Sequence, residues 1–508
     1  MKKKKKVHNL YINLNYSYLR TLIKKTIMSQ AVRDLEPKQL WNKFADLNAV
    51  PRPSKKEERV IAFMVEFGKN LGLDVVIDPV QNVIIKKPAT AGMEDRKTIV
   101  MQSHLDMVHQ KNNETDFDFD SEGIKMKIEG DWVKAEGTTL GADNGLGVAT
   151  IMAILESTDI PHPAIEALFT IDEETGMTGA LGLQGGYLTG EILLNLDTED
   201  DDEFSIGCAG GVDMTVTRAY TQEQINGISL KITVKGLQGG HSGMQIHEGL
   251  GNANKLMNRV FHATQNYMQI ATVMGGGLRN AIPRESNSVI VTEDIENFNT
   301  AFEGIKNEII AEFKTIEPDL VILLQGTEDA SAVMSRNDQK AFISAVYAAH
   351  NGVFRMSPDI KDLVETSNNV ARVEAKEGKI EVLCLTRSSV ESGKWNMANN
   401  LSSTFELAGF SIETGGDYPG WKPNRDSEIL TVLEEKYETL FNEKPRVMAC
   451  HAGLECGILG TNYPEMDMIS FGPTIKGAHS PDERASISSA QKYWKFTLEV
   501  LKAIPLKA

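Results

Sequence analysis

Apolar residues recur with helical spacing in the first part of the chain, and short apolar runs separate the helical stretches. Spacing of i, i+3 and i+4 is typical of amphipathic helices, whereas short apolar runs bounded by turn residues are typical of buried strands. Because strands that alternate with helices favour a helix-covered parallel sheet, the pattern predicts an α/β domain with a mostly parallel central sheet. The predicted helices cover 37–49, 57–71 and 145–157, and the predicted strands cover 74–77, 83–86, 98–102, 164–171 and 192–195.

The pattern changes beyond Gly210. Apolar residues from Ile228 to Val234 alternate with polar ones, which is typical of a strand with one solvated face. Further helices and strands are predicted over 249–264, 300–315, 288–292 and 379–386. This segment of about 180 residues has the usual size of a domain. The sequence therefore predicts a separate α+β domain over 211–390, between two parts of the α/β domain at 28–210 and 391–508.

Charge and composition exclude several classes of protein. The 508 residues contain 53 Lys and Arg against 70 Asp and Glu, and this acidic balance argues against a nucleic-acid partner. The sequence contains no apolar run of about 18 residues, so we expect no membrane span. Four cysteines without CxxC spacing fit a reducing cytoplasm. Residues 1–27 carry eight positive charges and no acid, which predicts a disordered basic extension.

Five stretches place a carboxylate or an imidazole at or just after an apolar, strand-like run. In open parallel sheets the carboxyl ends of the strands meet in one crevice, so residues that are distant in sequence can converge there. Two histidines with several carboxylates are the ligand chemistry of zinc and similar divalent ions. The stretches are IVMQSHLDMV with His104 and Asp106, TTLGADNGLG with Asp143, LFTIDEETGM with Glu173 and Glu174, ILLNLDTED with Asp197, and ISFGPTIKGAHSPDE with His479.

Local spacing supports a metal site. His104 and Asp106 lie two apart on an extended segment, so both point to one face and the carboxylate can hold the imidazole tautomer. If Glu173 and Glu174 remain extended, they face opposite ways, and one can bind metal while the other acts as base. Taken singly, each motif has a structural alternative, such as a helix cap for GADNG or a solvated helix face for the Glu pair. Their joint occurrence favours the metal site.

Longer peptides give the sequence a family resemblance. The stretches LDMVHQKNN, KGLQGGHSGMQIHEGLGNANKL, LRNAIPRE and HAGLECG resemble the dinuclear zinc exopeptidases related to carnosinase and peptidase T. The resemblance runs from about residue 28 to residue 505. It implies two divalent ions per subunit, zinc in the first place, with cobalt or manganese able to substitute. The roles that it implies are Asp143 bridging both ions before a cis peptide, Glu174 and His479 completing one ion, His104 and Asp197 completing the other, Glu173 as general base, and Asp106 orienting an imidazole.

The same resemblance gives the 211–390 segment a role. Asp197 and His479 should share one site although 282 residues separate them, so the segment between them is best read as an insertion into the catalytic domain. In the family this insertion is a lid that also mediates homodimerisation. The resemblance implies that three lid residues contact substrate. These are His241 at the scissile carbonyl, Asn280, and Arg387 at the C-terminal carboxylate.

The expected activity is hydrolysis of unblocked dipeptides with broad specificity, including Xaa-His substrates such as β-alanyl-histidine. The resemblance implies attack by a zinc-bridged hydroxide with Glu173 as general base. Two alternatives stay open. One is a tripeptide aminopeptidase or N-acyl amino acid amidohydrolase of the same family. The other is a metal-containing binding protein without catalytic activity.

Overall fold

The computed structural model describes residues 30–112, 114–330 and 332–507, so the predicted basic extension at 1–27 lies outside the described residues. In chain order the helices are α1 Gln30–Arg33, α2 Lys38–Asn48, α3 Glu58–Asn70, α4 Ala142–Glu156, α5 Glu173–Gly176, α6 Thr178–Gly182, α7 Ala253–Thr264, α8 Ile295–Phe313, α9 Arg336–Ala348, α10 Glu391–Leu407, α11 Glu428–Phe441, α12 Glu455–Asn462 and α13 Ile487–Ala503.

The strands alternate with these helices in the first part of the chain and dominate its middle part. They are β1 Asp74–Ile77, β2 Val83–Lys87, β3 Ile99–His104, β4 Met126–Glu129, β5 Trp132–Ala135, β6 Ile165–Thr170, β7 Ile192–Asn195, β8 Glu203–Cys208, β9 Gly210–Ala219, β10 Gln222–Gln224, β11 Ile228–Lys235, β12 Gly240–His241, β13 Gln269–Gly276, β14 Ala281–Ile282, β15 Ser286–Thr292, β16 Val321–Gly326, β17 Ala332–Met334, β18 Gly352–Met356, β19 Val364–Lys376, β20 Lys379–Ser388, β21 Ser411–Tyr418, β22 Arg446–Cys450, β23 Asp467–Ser470, β24 Ile475–Lys476 and β25 Arg484–Ser486.

The chain forms two compact units, and the second interrupts the first in sequence. The first unit comprises the chain up to Ile206, Asn424–Met448 and the chain from Ile458 onward, and the second comprises Gly207–Pro423 and Ala449–Gly457. The expected boundary at residue 390 is therefore too early. Helix α10 packs on β9, β19 and β20, and β21 pairs with β9, so residues 391–423 complete the sheet of the second unit.

The first unit is built on an eight-stranded sheet in the order β1-β2-β6-β3-β7-β23-β8-β22. Its four central strands, β6-β3-β7-β23, run parallel, and β1, β2 and β8 pair antiparallel with their neighbours. The parallel strands at the centre of the sheet confirm the expected α/β class. Every residue of β3, β6 and β7 is buried, as a parallel strand covered on both faces requires.

Helix α4 brings its N-terminus close to the ends of these strands. It is apolar on all sides and nearly wholly buried, and it packs against α2 and β3. Gly147 permits the close approach, because a Cβ there would meet the Leu196 carbonyl oxygen at 2.6 Å and the Ser103 hydroxyl at 2.5 Å. The helix is assigned from Ala142, but Asp143 and Asn144 have non-helical backbone angles, so its regular part begins at residue 145, as the sequence predicted.

The second unit repeats one supersecondary motif. The elements β11-α7-β13-β15-α8-β16 form a βαββαβ motif with strand order β16-β11-β15-β13, and β9-α9-β19-β20-α10-β21 form another with order β21-β9-β20-β19. The two join edge to edge through antiparallel pairing of β13 with β19. A large apolar core that includes Phe298, Phe302, Phe342 and Phe405 stabilises this unit. The sequence predicted its α+β class but not the repeat.

None of the helices among the described residues has the length and apolar character needed to cross a bilayer.

Candidate metal centre

Neighbouring parallel strands deliver three of the expected site segments to one edge of the first sheet. His104 is the last residue of β3, Glu173 follows the end of β6, and Asp197 follows the end of β7. Because β6, β3 and β7 are adjacent and parallel, their carboxyl ends meet. Asp143 comes from the first turn of α4, and His479 from the loop between β24 and β25. All of these residues belong to the first unit.

The carboxylate of Asp143 lies between the two histidines. Its Oδ1 is 3.1 Å from His104 Nε2, and its Oδ2 is 3.3 Å from His479 Nε2. The Asp143–Asn144 peptide is cis, as the resemblance implied. Burial alone would raise the pKa of Asp143, but hydrogen bonds from both imidazoles lower it. One carboxylate with an imidazole at each oxygen is the arrangement that a residue bridging two cations requires.

His104 is enclosed by carboxylates on both ring nitrogens. Nε2 lies 3.5 Å from Asp197 Oδ1, and Nδ1 lies 3.4 Å from Asp106 Oδ1. Burial alone would lower the pKa of His104, yet the surrounding carboxylates raise it well above its usual value. The Asp106 contact leaves Nε2 directed at Asp143 and Asp197. The expected convergence of His104 and Asp106 on one face is confirmed.

Glu173 and Glu174 do not continue the strand. Asp172 adopts a left-handed backbone conformation with φ of 53°, and the helical turn α5 begins at Glu173, so the condition of an extended pair is not met. The backbone N–H groups of Glu173 and Glu174 donate to the two oxygens of Asp106 at 3.0 and 3.3 Å. Ligand atoms of His104, Glu173 and Glu174 lie within 4.8 Å of one another, so the turn keeps both carboxylates at the same site.

Glu174 faces His479, which is the more exposed histidine. Glu174 Oε2 lies 3.0 Å from His479 Nε2, while the buried Oε1 has no hydrogen-bond partner among the described residues. Hydrogen bonds to Asp143 and Glu174 raise the pKa of His479 to about 11. Burial and the Asp143 carboxylate raise the pKa of Glu174. Buried carboxylate oxygens such as these are typical ligands of divalent cations.

The donor set fits two divalent ions. Ligand atoms of His104, Asp143 and Asp197 all lie within 4.8 Å of one another, and so do those of Asp143, Glu174 and His479. Only Asp143 is common to both groups. Nitrogen and oxygen ligands in sets of three protein residues are typical of catalytic zinc and of manganese or cobalt. The orphaned Glu174 oxygen fits the same interpretation, because a buried acceptor without a donor is costly unless a cation or proton reaches it.

The three residues expected to contact substrate lie in the second unit. His241 Nδ1 accepts the N–H groups of Gly243 and Met244 at 3.2 and 3.1 Å, so a neutral imidazole carries its proton on Nε2 and donates there. Asn280 is next to His241 in space, because its carbonyl accepts the Ser242 N–H at 2.8 Å.

Arg387 lies on β20 and is 5% exposed. One terminal nitrogen donates to the Tyr418 hydroxyl at 2.8 Å. His451, Ser367 and Glu455 are also buried polar residues of the second unit. Burial, followed by the charges of Arg387 and His241, lowers the pKa of His451 to about 3, so this imidazole is neutral.

Several residues that organise the centre were not predicted. Ser54 donates to Asp106 at 2.8 Å, the Asn144 side chain donates to the Leu196 carbonyl at 2.8 Å, and Lys55 contacts Asp172. Arg52 and Glu483 contact the backbone that leads into Asp143, Arg52 at the Gly141 carbonyl and Glu483 at the Asp143 N–H. Glu483 stands four residues after His479 in the stretch AHSPDE, and that proximity to a ligand is the one sequence signal that could have drawn attention to it.

A parallel sheet that gathers two histidines and four or more carboxylates around a shared aspartate defines a metal-dependent hydrolase. The model of peptidase family M20/M25/M40 matches residues 100–503. The chain belongs to this family.

Individual relatives agree with the family match. The chain is 45% identical over 483 residues to the cytosol non-specific dipeptidase of Escherichia coli K12. The alignment covers 93% of this chain and 99% of that protein. The crystal structure of aminoacylhistidine dipeptidase from Vibrio alginolyticus superposes with a TM-score of 0.86 at 46% identity, covering 94% of this chain and 99% of that one. Aminopeptidase PepT from Bacillus cereus shares the fold, with a TM-score of 0.56 at 15% identity over 92% of this chain and 99% of its own.

Proposed function

We propose that this protein is a metal-dependent dipeptidase of broad specificity that acts on unblocked dipeptides, including Xaa-His and β-alanyl-histidine. The observation that carries the proposal is the placement of Asp143 between His104 and His479. The similarity to a dipeptidase of Escherichia coli and an aminoacylhistidine dipeptidase of Vibrio alginolyticus supports the substrate class.

The proposed centre holds two divalent ions, with zinc best suited to the ligands and cobalt or manganese able to replace it. His104 and Asp197 would hold one ion, Glu174 and His479 would hold the other, and Asp143 would serve as a ligand of both. When bound, the pair supplies Lewis-acid chemistry that polarises the scissile carbonyl and lowers the pKa of water towards neutrality.

Glu173 moves the proton in this scheme. Its carboxylate takes a proton from the attacking water and returns it to the leaving amine. Asp106 holds Glu173 through its backbone amide and keeps the His104 imidazole oriented, so it prepares both the base and a ligand.

In the second unit we assign substrate contacts to His241, Asn280 and Arg387. The Nε2–H of His241 would donate to the carbonyl oxygen as negative charge develops there. The planar fork of Arg387 matches the C-terminal carboxylate that every unblocked dipeptide carries.

We further propose that the protein is cytoplasmic and forms a homodimer through the second unit. The β21 strand is exposed along most of its length and lies at an edge of its sheet, so it has unpaired backbone groups that a second copy could use. Light scattering of the full-length protein measures the mass directly, and a monomer at all concentrations would contradict the dimer.

The activity is tested by a substrate panel. Free dipeptides, tripeptides and N-acyl amino acids are assayed with zinc, manganese and cobalt, and a chelator serves as the control. We expect free dipeptides to be cleaved fastest and the chelator to abolish cleavage. Preference for tripeptides or N-acyl amino acids would favour the alternative enzymes, and metal binding without any cleavage would favour a binding protein.

A further inference from the structure

Glu483 has a buried carboxylate that accepts hydrogen bonds from consecutive backbone amides up to that of Asp143, the proposed bridging ligand. Its Oε2 accepts the N–H groups of Leu140 and Gly141 at 2.7 and 2.9 Å, and its Oε1 accepts those of Ala142 and Asp143 at 2.7 and 3.2 Å. The residue is 2% exposed. Four consecutive backbone amides therefore donate hydrogen bonds to one side chain that is distant in sequence.

These amides belong to the start of α4, where a helix leaves its first N–H groups without intrahelical partners. Gly141 precedes the helix with φ of 69°, and Asp143 and Asn144 depart from helical backbone angles. The backbone that carries Asp143 is thus not fixed by helical hydrogen bonding. Glu483 supplies the acceptors that this turn lacks, and a negative charge is favourable at a helix N-terminus.

Arg52 holds the same turn from its carbonyl side. One terminal nitrogen donates to the Gly141 carbonyl at 2.5 Å, and the other donates to the carbonyls of Leu105 and Asp106 at 3.0 and 2.9 Å. Arg52 is 1% exposed. It therefore joins the turn before Asp143 to the segment that follows His104.

We propose that Glu483 and Arg52 are positioning residues that fix the backbone of Asp143 so that its two oxygens reach both ions. Glu483 also follows His479 by four residues. Its side chain therefore links the backbone of Asp143, the proposed bridging ligand, to the loop that carries His479, a proposed ligand of one ion. The inference rests on the proposed metal centre. It assigns the alignment of that centre to two residues that touch neither substrate nor metal.

The test uses Glu483→Gln in the full-length protein. Glutamine keeps the shape but replaces one acceptor oxygen with an NH2 group, so two of the four amides face a donor. Supporting contacts around metal ligands typically change affinity by 10–100-fold. We expect zinc affinity, measured by competition with a chromophoric chelator, to fall at least about tenfold. We also expect kcat to fall while KM stays close to the wild-type value.

Glu166→Gln is the matched control. Glu166 is also buried and accepts two backbone amides, from Thr189 and Gly190 at 2.7 and 3.0 Å, but it lies at the amino end of β6, away from the ligand end of that strand. The control should lose thermal stability in the metal-free protein without losing zinc affinity. Equal zinc affinity in the two variants would overturn the proposal.

Arg52→Lys keeps the proposal testable if Glu483→Gln does not fold. Lysine retains the charge but cannot reach three carbonyls with a planar fork. We again expect at least about tenfold weaker zinc binding, and wild-type affinity in a folded Arg52→Lys protein would overturn the inference. A wild-type protein that binds no zinc, manganese or cobalt would instead contradict the proposed function, so the two failures are distinguishable.

Discussion

The backbone N–H of Glu173 donates to Asp106 Oδ1 at 3.0 Å, and the same oxygen lies 3.4 Å from His104 Nδ1. A single carboxylate oxygen thus links the proposed base to a proposed ligand. Asp106 is fully buried, so the link is shielded from water. The orientation of the base and the tautomer of the imidazole therefore depend on one residue.

Asp106→Asn should impair both functions at once. The amide nitrogen of asparagine would face a ring nitrogen or a backbone N–H, so one of these contacts is lost. We expect zinc affinity to fall about 10–100-fold, together with kcat. Chelator competition and steady-state kinetics measure the two effects. Ser54→Ala is the control, because it removes a neighbouring hydroxyl but leaves the Asp106 carboxylate, and an equal loss in both variants would argue against this role.

Glu173→Gln should remove the base and keep the metals. A general base contributes roughly 10²–10⁴-fold to rate, so we expect kcat to fall by at least about 100-fold. Elemental analysis by mass spectrometry should still find the wild-type metal content. Turnover close to that of the wild type would remove Glu173 from the proposed role.

Asp143→Ala and Glu174→Ala should differ in metal stoichiometry. Only Asp143 contributes to both ligand groups, whereas Glu174 pairs with His479 in one of them. We expect loss of both ions from Asp143→Ala and of one ion from Glu174→Ala, counted by mass spectrometry after gel filtration. Retention of both ions by Asp143→Ala would show that the aspartate does not bridge them.

Arg387→Lys should affect only substrates that carry a C-terminal carboxylate. Lysine cannot form the bidentate contact, so we expect kcat/KM for free dipeptides to fall roughly 10–100-fold with unchanged metal content. Dipeptide amides lack the carboxylate and serve as the internal control. The same loss for amides as for free dipeptides would point to a packing defect in place of carboxylate recognition.

Glu166 gives the first unit a pH-dependent contribution to stability. Burial alone would raise the pKa of Glu166, but Lys86 and the amides of Thr189 and Gly190 lower it below the usual value. A carboxylate whose pKa is lower in the folded than in the unfolded state stabilises the fold above its unfolded pKa, and this contribution is lost as pH falls through the folded value.

We therefore expect Glu166→Gln to lower the melting temperature of the metal-free protein at neutral pH, by the equivalent of about 1–3 kcal/mol. The difference from the wild type should shrink at acidic pH, as the pH falls through the lowered pKa of Glu166 and the wild-type carboxyl also becomes protonated. Differential scanning calorimetry of both proteins at the two pH values measures it. A difference that is independent of pH would mean that the charge of Glu166 does not matter.

The sequence was sufficient to predict the α/β class and to nominate the seven residues of the proposed centre, because strand ends and ligand chemistry leave local signatures. His104 follows closely after a short apolar run, and Asp143 stands among glycines at a helix start. Sheet topology then explains why distant segments meet. The boundary at residue 390 was wrong because β21 joins the second sheet by pairing with β9, and such pairing has no local sequence signal.

What the sequence determined by itself is which chemical groups are present and which segments are strands or helices, since both follow from side-chain identity and apolar periodicity. Only the tertiary structure decided that Glu174 leaves the strand direction in a helical turn, that Glu483 receives four amides from 340 residues away in the chain, and that two βαββαβ motifs share one sheet. These features depend on long-range hydrogen bonds to backbone groups, from carboxylate side chains or from another strand. Every residue except proline carries the same backbone donor and acceptor, so the pairing of these groups cannot be read from residue identity.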